Sequence, residues 1–176
     1  MSTVVSAVAQ YALFVVALGA LLVWVRVPSR QEKVALAVEA VLAMLLVAVL
    51  VKVAGAVHTD PRPFVVDPHL RPLFPHPPDN GFPSDHTALA TAVAAVVCVH
   101  RRWAGLVLLA VAVCLGAARV LAHVHHTQDI VAGVLIGLLA AAVAVLGYRT
   151  LAQRRVDRWV ESRPWQLTSR GAGKDS

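Results

Sequence analysis

Three short polar islands interrupt an otherwise apolar chain, each at the edge of a long hydrophobic run. The first is Arg62-Pro63, with Lys52 upstream; the second is Pro83-Ser84-Asp85-His86; the third is Arg119 followed by His125 and Asp129. Lys52, Arg62 and Arg119 are cations. An arginine fork grips phosphate oxygens in a bidentate fashion. An imidazole can attack as a nucleophile or shuttle a proton. This set is equipment for holding a phosphate and attacking it, and an apolar helix bundle needs none of it to fold.

The spacing sharpens the roles. If the chain is helical from His125, then His125 and Asp129 lie one turn apart on one face. The carboxylate can then accept the imidazole Nδ1–H, which fixes the tautomer and leaves Nε2 free to attack. Arg119 is placed to hold phosphate oxygens. Asp129, at the start of an apolar run, is costly without a partner. In the second island, Ser84 reads as an N-cap and offers a hydroxyl donor beside the free N–H groups of a helix start. His86 is a candidate general acid, and Asp85 a residue that keeps His86 protonated. In the first island, Arg62 is a phosphate ligand or a solvated loop charge. Lys52 reaches the same site or snorkels to the membrane interface. His58 and Arg71 are weaker candidates for the pocket. His123 and His126 read as polar residues at a helix end.

The elements that must position these groups are transmembrane helices. The chain has 176 residues, is 58% hydrophobic and has a mean hydropathy of +0.68. Soluble domains of this size are rarely so apolar. Five apolar runs predict an all-α, polytopic helix bundle: about 4–27, 34–57, 87–99, 103–122 and 130–148. Residues 1–150 read as one membrane-embedded domain and 151–176 as a basic cytoplasmic tail. The first run has no basic flank before it and is longer than a signal-peptide core, so it reads as a retained helix. Cys98 and Cys114 read as small core residues, with no metal-ligand spacing. Glu39, in the second run, is an acid with no evident partner.

The net charge of +6 does not indicate nucleic acid, because of where the charges fall. Arg26, Arg30, Lys33, Arg101, Arg102, Arg149, Arg154, Arg155, Arg158, Arg163, Arg170 and Lys174 all fall on one side of a five-helix topology. By the positive-inside rule that side is cytoplasmic. The amino terminus and all three islands then share the outer face, and membrane lipids are the surroundings. Residues 58–86 hold eight of the ten prolines and no helical period. So long a loop is usually functional. Asp79-Asn80-Gly81 reads as a turn. The loop's apolar residues, Phe64, Leu73 and Phe74 among them, predict a lid or rim lying on the bilayer.

The three islands, in this order, resemble the type-2 phosphatidic acid phosphatase superfamily, whose motifs read K-x6-R-P, P-S-G-H and S-R-x5-H-x3-D. Here Ala118 stands for the usual Ser and Asp85 for Gly. The motif lysine would fall at Gly55, and Lys52 lies almost one helical turn before it. The resemblance implies His125 as nucleophile, Asp129 as its orienting partner and His86 as acid and then base. Lys52, Arg62, Ser84 and Arg119, with Asp85 alongside, would form the phosphate cradle. It implies no metal and no other cofactor. It also implies six helices where five are read here. The stretches Arg62-Pro63-Phe64-Val65 and Phe82-Pro83-Ser84-Asp85-His86-Thr87 are similar to bacterial undecaprenyl-diphosphatases of the bacitracin-resistance type. That points to hydrolysis of a polyprenyl diphosphate at a bacterial plasma membrane. Phosphatidate, phosphatidylglycerol phosphate and polyprenyl-linked sugar phosphates are the competing substrates. A metal-binding or transport protein built on His86, His123, His125, His126 and Asp129 is the non-enzymatic alternative, and the arginines argue against it by repelling a cation.

Overall fold

The computed structural model describes residues 1–162, so Arg163, Arg170 and Lys174 of the basic tail lie outside the described residues. In chain order the helices are α1 (Ser2–Arg26), α2 (Arg30–Val57), a single turn α3 (Pro63–Val66), α4 (Asp85–His100), α5 (Arg102–Leu121), α6 (Thr127–Gly147) and α7 (Gln153–Ser162). A π-helical turn at Tyr148–Ala152 joins the last two. The described residues contain no strand, only one isolated bridge between Pro61 and Asn80. Four helices are long and apolar enough to cross a membrane, and α4, at 16 residues, is a shorter apolar fifth.

The shortest of these helices is the central one. α4 packs against α1, α2, α5 and α6. It buries Thr87, Ala88, Ala90, Thr91, Ala92, Ala94, Val96 and Val97. Its small side chains let neighbouring backbones come close, which is how helices associate where lipid removes the hydrophobic drive. α6 answers with glycines. A Cβ on Gly133 would stand 2.7 Å from the Ser84 carbonyl oxygen, and one on Gly137 2.5 Å from that of Ala88. The two helices therefore touch backbone to backbone at the end where both begin. The Ser84 N–H donates to the Asp129 carbonyl oxygen at 3.1 Å across that contact.

The chain crosses between the two ends with tight turns. Ser29 caps α2 by accepting from the Glu32 N–H at 3.4 Å. At the other end, His123 takes φ 61, the left-handed conformation that closes a helix, and redirects the chain from α5 toward His125. Cys98 packs against Gly105 at the α4–α5 turn. Cys114, expected in the core, is exposed on the outer face of α5.

The loop between α2 and α4 is tied down. Asn80 Nδ2 donates to the Gly55 and His58 carbonyl oxygens, both at 3.1 Å, and Asn80 Oδ1 accepts from the Asp60 N–H at 2.9 Å. The Gly81 N–H donates to the Asp60 carbonyl oxygen at 2.8 Å, and the Leu73 N–H to that of Ala122 at 3.2 Å. Phe64, Leu73 and Phe74 turn inward onto Ala9, Ala118, Ala122 and Val124. They are half-buried against α1 and the end of α5, which removes part of their apolar area from water. Val65 and Val66 remain exposed.

Glu39 has a partner after all. It is 1% exposed, and its Oε2 lies 2.6 Å from Nε2 of His100, the last residue of α4. Arg101 pairs with Glu32 beside them. This polar cluster occupies the end of the bundle opposite the three islands.

Candidate active site

The three islands meet at the end of the bundle where α4 and α6 begin and α5 ends. Arg62, Ser84, Arg119, His125 and Asp129 are all buried there. Buried polar groups of this kind persist only where hydrogen bonds or a ligand satisfy them.

His125 precedes α6 rather than belonging to it. His126 is the N-cap and Asp129 the third helical residue. The expected one-turn helical pairing is thus replaced by a capping arrangement with the same result. The Asp129 carboxylate reaches back, accepting from the His126 N–H at 2.8 Å and meeting His125 Nδ1 at 3.3 Å. His125 Nε2 faces Arg62 Nη1 at 3.4 Å. Burial holds the His125 imidazole below its ordinary range; the Asp129 hydrogen bond works against this and the Arg119 and Arg62 charges reinforce it. The ring is therefore neutral at neutral pH, with an available Nε2 lone pair.

Arg62 is the N-cap of α3, with Pro63 at the first helical position, where a missing N–H costs nothing. Its Nη1 donates to the Val124 carbonyl oxygen at 2.7 Å and its Nε to Asp79 Oδ1 at 2.8 Å. Arg119 comes from the last turn of α5. Its Nη1 donates to the Ala9 carbonyl oxygen of α1 at 3.2 Å, and its Nη2 lies 3.2 Å from His76 Nε2. Arg119 Nε is buried with no partner at all. A buried, unused guanidinium donor is suited to a phosphate oxygen.

Ser84 caps α4. Its Oγ accepts from the Thr87 N–H at 3.4 Å and lies 3.0 Å from Thr87 Oγ1. Asp85 Oδ1 meets His86 Nδ1 at 2.8 Å and also accepts the His86 N–H at 2.7 Å. Asp85, grouped at first with the phosphate cradle, is thus engaged with His86. This forms a second imidazole–carboxylate pair, exposed where the first is buried.

Lys52 is bonded to none of the other site residues. It is exposed on α2 and has no hydrogen-bond or ion-pair partner. The motif position itself is filled by Gly55, where an added Cβ would stand 3.1 Å from the Phe82 carbonyl oxygen. The loop crossing there leaves little room for a longer residue. His58 stacks edge-on against Phe82, with ring centroids 4.7 Å apart.

Sequence reasoning missed His76. Its ring centroid lies 6.4 Å from that of His125, and it contacts Arg119. Burial, then the nearby Arg62 charge, keep it neutral by lowering its affinity for protons. A single histidine in a proline-rich loop carries no periodic signal, so nothing in the sequence singled it out. Asp60 and Asp79 were missed for the same reason.

Residues 36–153 match the model of the PAP2 superfamily, and the chain belongs to that superfamily. It is a lipid phosphatase of this class, a multi-pass membrane protein built of helices. Among its relatives, the bacitracin transport permease protein BcrC of Bacillus licheniformis is 30% identical over 141 residues, 80% of this chain and 68% of that one. The putative undecaprenyl-diphosphatase YbjG of Escherichia coli K12 is 29% identical over 152 residues, 86% of this chain and 75% of that one. The crystal structure of Aquifex aeolicus LpxE superposes with a TM-score of 0.66 at 27% identity, covering 82% of this chain and 85% of that one.

Proposed function

We propose that this protein hydrolyses a polyprenyl diphosphate of the undecaprenyl type to the monophosphate, through a phosphohistidine on His125. The observation that carries the chemistry is the placement of His125. Its Nδ1 faces Asp129 and its Nε2 faces Arg62 at 3.4 Å, so the attacking atom points into the cationic cradle. Names borne by the relatives, undecaprenyl-diphosphatase among them, support the substrate class.

In the first step the Nε2 lone pair attacks the terminal phosphorus, and the bond to the bridging oxygen breaks. His86, held by Asp85, gives that oxygen a proton, and the polyprenyl monophosphate leaves. In the second step His86 takes a proton from water, whose oxygen attacks the phosphorus. The P–N bond breaks, inorganic phosphate leaves, and His125 is neutral again. Asp129 stabilises the imidazolium that forms in between. Arg62 and Arg119 hold the equatorial oxygens throughout, which is where phosphoryl transfer gains most. Ser84 adds its hydroxyl and the N–H groups of α4 beside it.

Purified protein in detergent with excess chelator should release phosphate from undecaprenyl diphosphate at least tenfold faster than from phosphatidate. Equal or faster release from phosphatidate would keep the chemistry and replace the substrate.

The active site lies, on this reading, on the outer face of a bacterial plasma membrane. Arg26, Arg30, Lys33, Arg101, Arg102, Arg149, Arg154, Arg155 and Arg158 gather at the opposite end and support a cytoplasmic assignment for it. A single cysteine at exposed His69, in a chain whose two native cysteines are replaced by alanine, should react with a membrane-impermeant thiol reagent on intact cells. Labelling only after permeabilisation would reverse the orientation.

A further inference from the structure

We propose that Asp60, His126 and Asp129 form an inhibitory site for a borderline divalent cation of the zinc type. Each residue offers one ligand atom, and the three atoms lie within 4.8 Å of one another. Asp60 Oδ2 and His126 Nδ1 are 3.0 Å apart. Ligands about 2.1 Å from a tetrahedral ion stand about 3.4 Å from one another, so a small contraction or expansion of the trio would seat one.

Two further observations point to a ligand. Asp129 is fully buried, yet its Oδ1 has no hydrogen-bond partner. The Asp60 side chain is its close neighbour, so two carboxylates face each other beside an imidazole. Such a pair is costly unless a proton or a cation lies between them. Asp60 is also firmly placed: Asn80 and Gly81 hold its backbone, and Gln128 Nε2 donates to its Oδ2 at 2.6 Å. One nitrogen and two carboxylate oxygens suit zinc, whereas magnesium calls for about six oxygens in an octahedron. Water would complete the set.

The consequence follows from the shared ligand. Asp129 is the carboxylate that orients His125. A cation on its free Oδ1 withdraws electron density from the carboxylate and makes Oδ2 a poorer acceptor for the His125 Nδ1–H. The imidazole is then held less firmly, and the negative charge that stabilises its phosphorylated form is neutralised. The site is thus a brake on the chemistry and supplies none of it.

The inhibition arm rests on the proposed phosphatase reaction; the binding arm does not. Equilibrium dialysis of the purified protein against micromolar free zinc, buffered by a chelator, should find one tightly held ion per chain. Asp60→Asn and His126→Gln, prepared separately, should each hold zinc at least tenfold more weakly. In parallel, zinc should slow phosphate release by the parent protein at least tenfold, reversibly on adding chelator, and magnesium should not. Either variant should need at least tenfold more zinc for the same slowing. Zinc bound equally by the parent and by both variants would overturn the site. One ion bound at these residues without slower turnover would overturn the inhibitory role and leave the site. Should no substrate be hydrolysed, the dialysis arm still decides the binding.

Discussion

His125→Ala should abolish phosphate release, to below about one part in ten thousand of the parent rate, while the protein still inserts and keeps its helices. The magnitude follows from losing a covalent route: without a nucleophile only the cationic cradle and bound water remain. No other group takes its place. The His76 ring centroid is 6.4 Å away, and His86 is already engaged with Asp85. The structural cost is small by comparison. Asp129 keeps its bond from the His126 N–H and Arg62 keeps the Val124 carbonyl, so the truncation leaves two longer contacts unmade and costs about 1–3 kcal/mol. Phosphate release and helical circular dichroism, measured on one preparation, separate the two effects. Substantial turnover by the folded variant would remove His125 from the nucleophile's role. Asp129→Asn should be milder, about 10²–10⁴-fold, because the nucleophile persists with a poorly fixed ring.

The largest effect on stability should come from the other end of the bundle. His100→Leu strands the buried Glu39 carboxylate, whose contact with His100 Nε2 is 2.6 Å. Leaving one partner of such a pair unmatched costs about 3–5 kcal/mol. In a thermal melt this is a drop on the order of 10 °C. Replacing both residues, Glu39→Leu with His100→Leu, should restore most of the loss, since apolar groups of similar volume need no partner. A double variant as unstable as the single one would show that the pair is held by its surroundings rather than by mutual need. Turnover per folded molecule should be unchanged in the double variant, because neither residue touches the reaction centre.

Much of this architecture was legible in the chain. Apolar runs gave the helices, because lipid enforces length and composition more strictly than water does. The helix count between the islands placed them at one end. Within the site, Ser84 as a cap and the His125–Asp129 pairing followed from local spacing. Contacts set by packing were not legible. Glu39 and His100 are 61 residues apart, and only the crossing of α2 and α4 brings them together. Where Lys52 heads depends on helix rotation, which its spacing from Arg62 does not encode; it is exposed and bonded to none of the site groups. That Phe64 and Phe74 pack against α1 and the end of α5 was likewise set by packing that no local signal encodes. His76 became visible only once Arg119 beneath it was in place.

The backbone contact of Gly133 and Gly137 with α4 has a consequence for how the protein meets its surroundings. Membranes differ in thickness, and helices adapt to them by tilting. α1 and α2 carry no such glycine contact with α4; side chains tie them in instead, α2 through Glu39 and His100, and α1 through Ala9 and Arg119. The gap between the two imidazole–carboxylate pairs is set by a joint in which the α6 glycines meet only the backbone of α4 and the short side chains of Thr87 and Thr91. The spacing of those two pairs should therefore change little with bilayer thickness, whereas Arg119, bonded to α1 through Ala9, should feel it more.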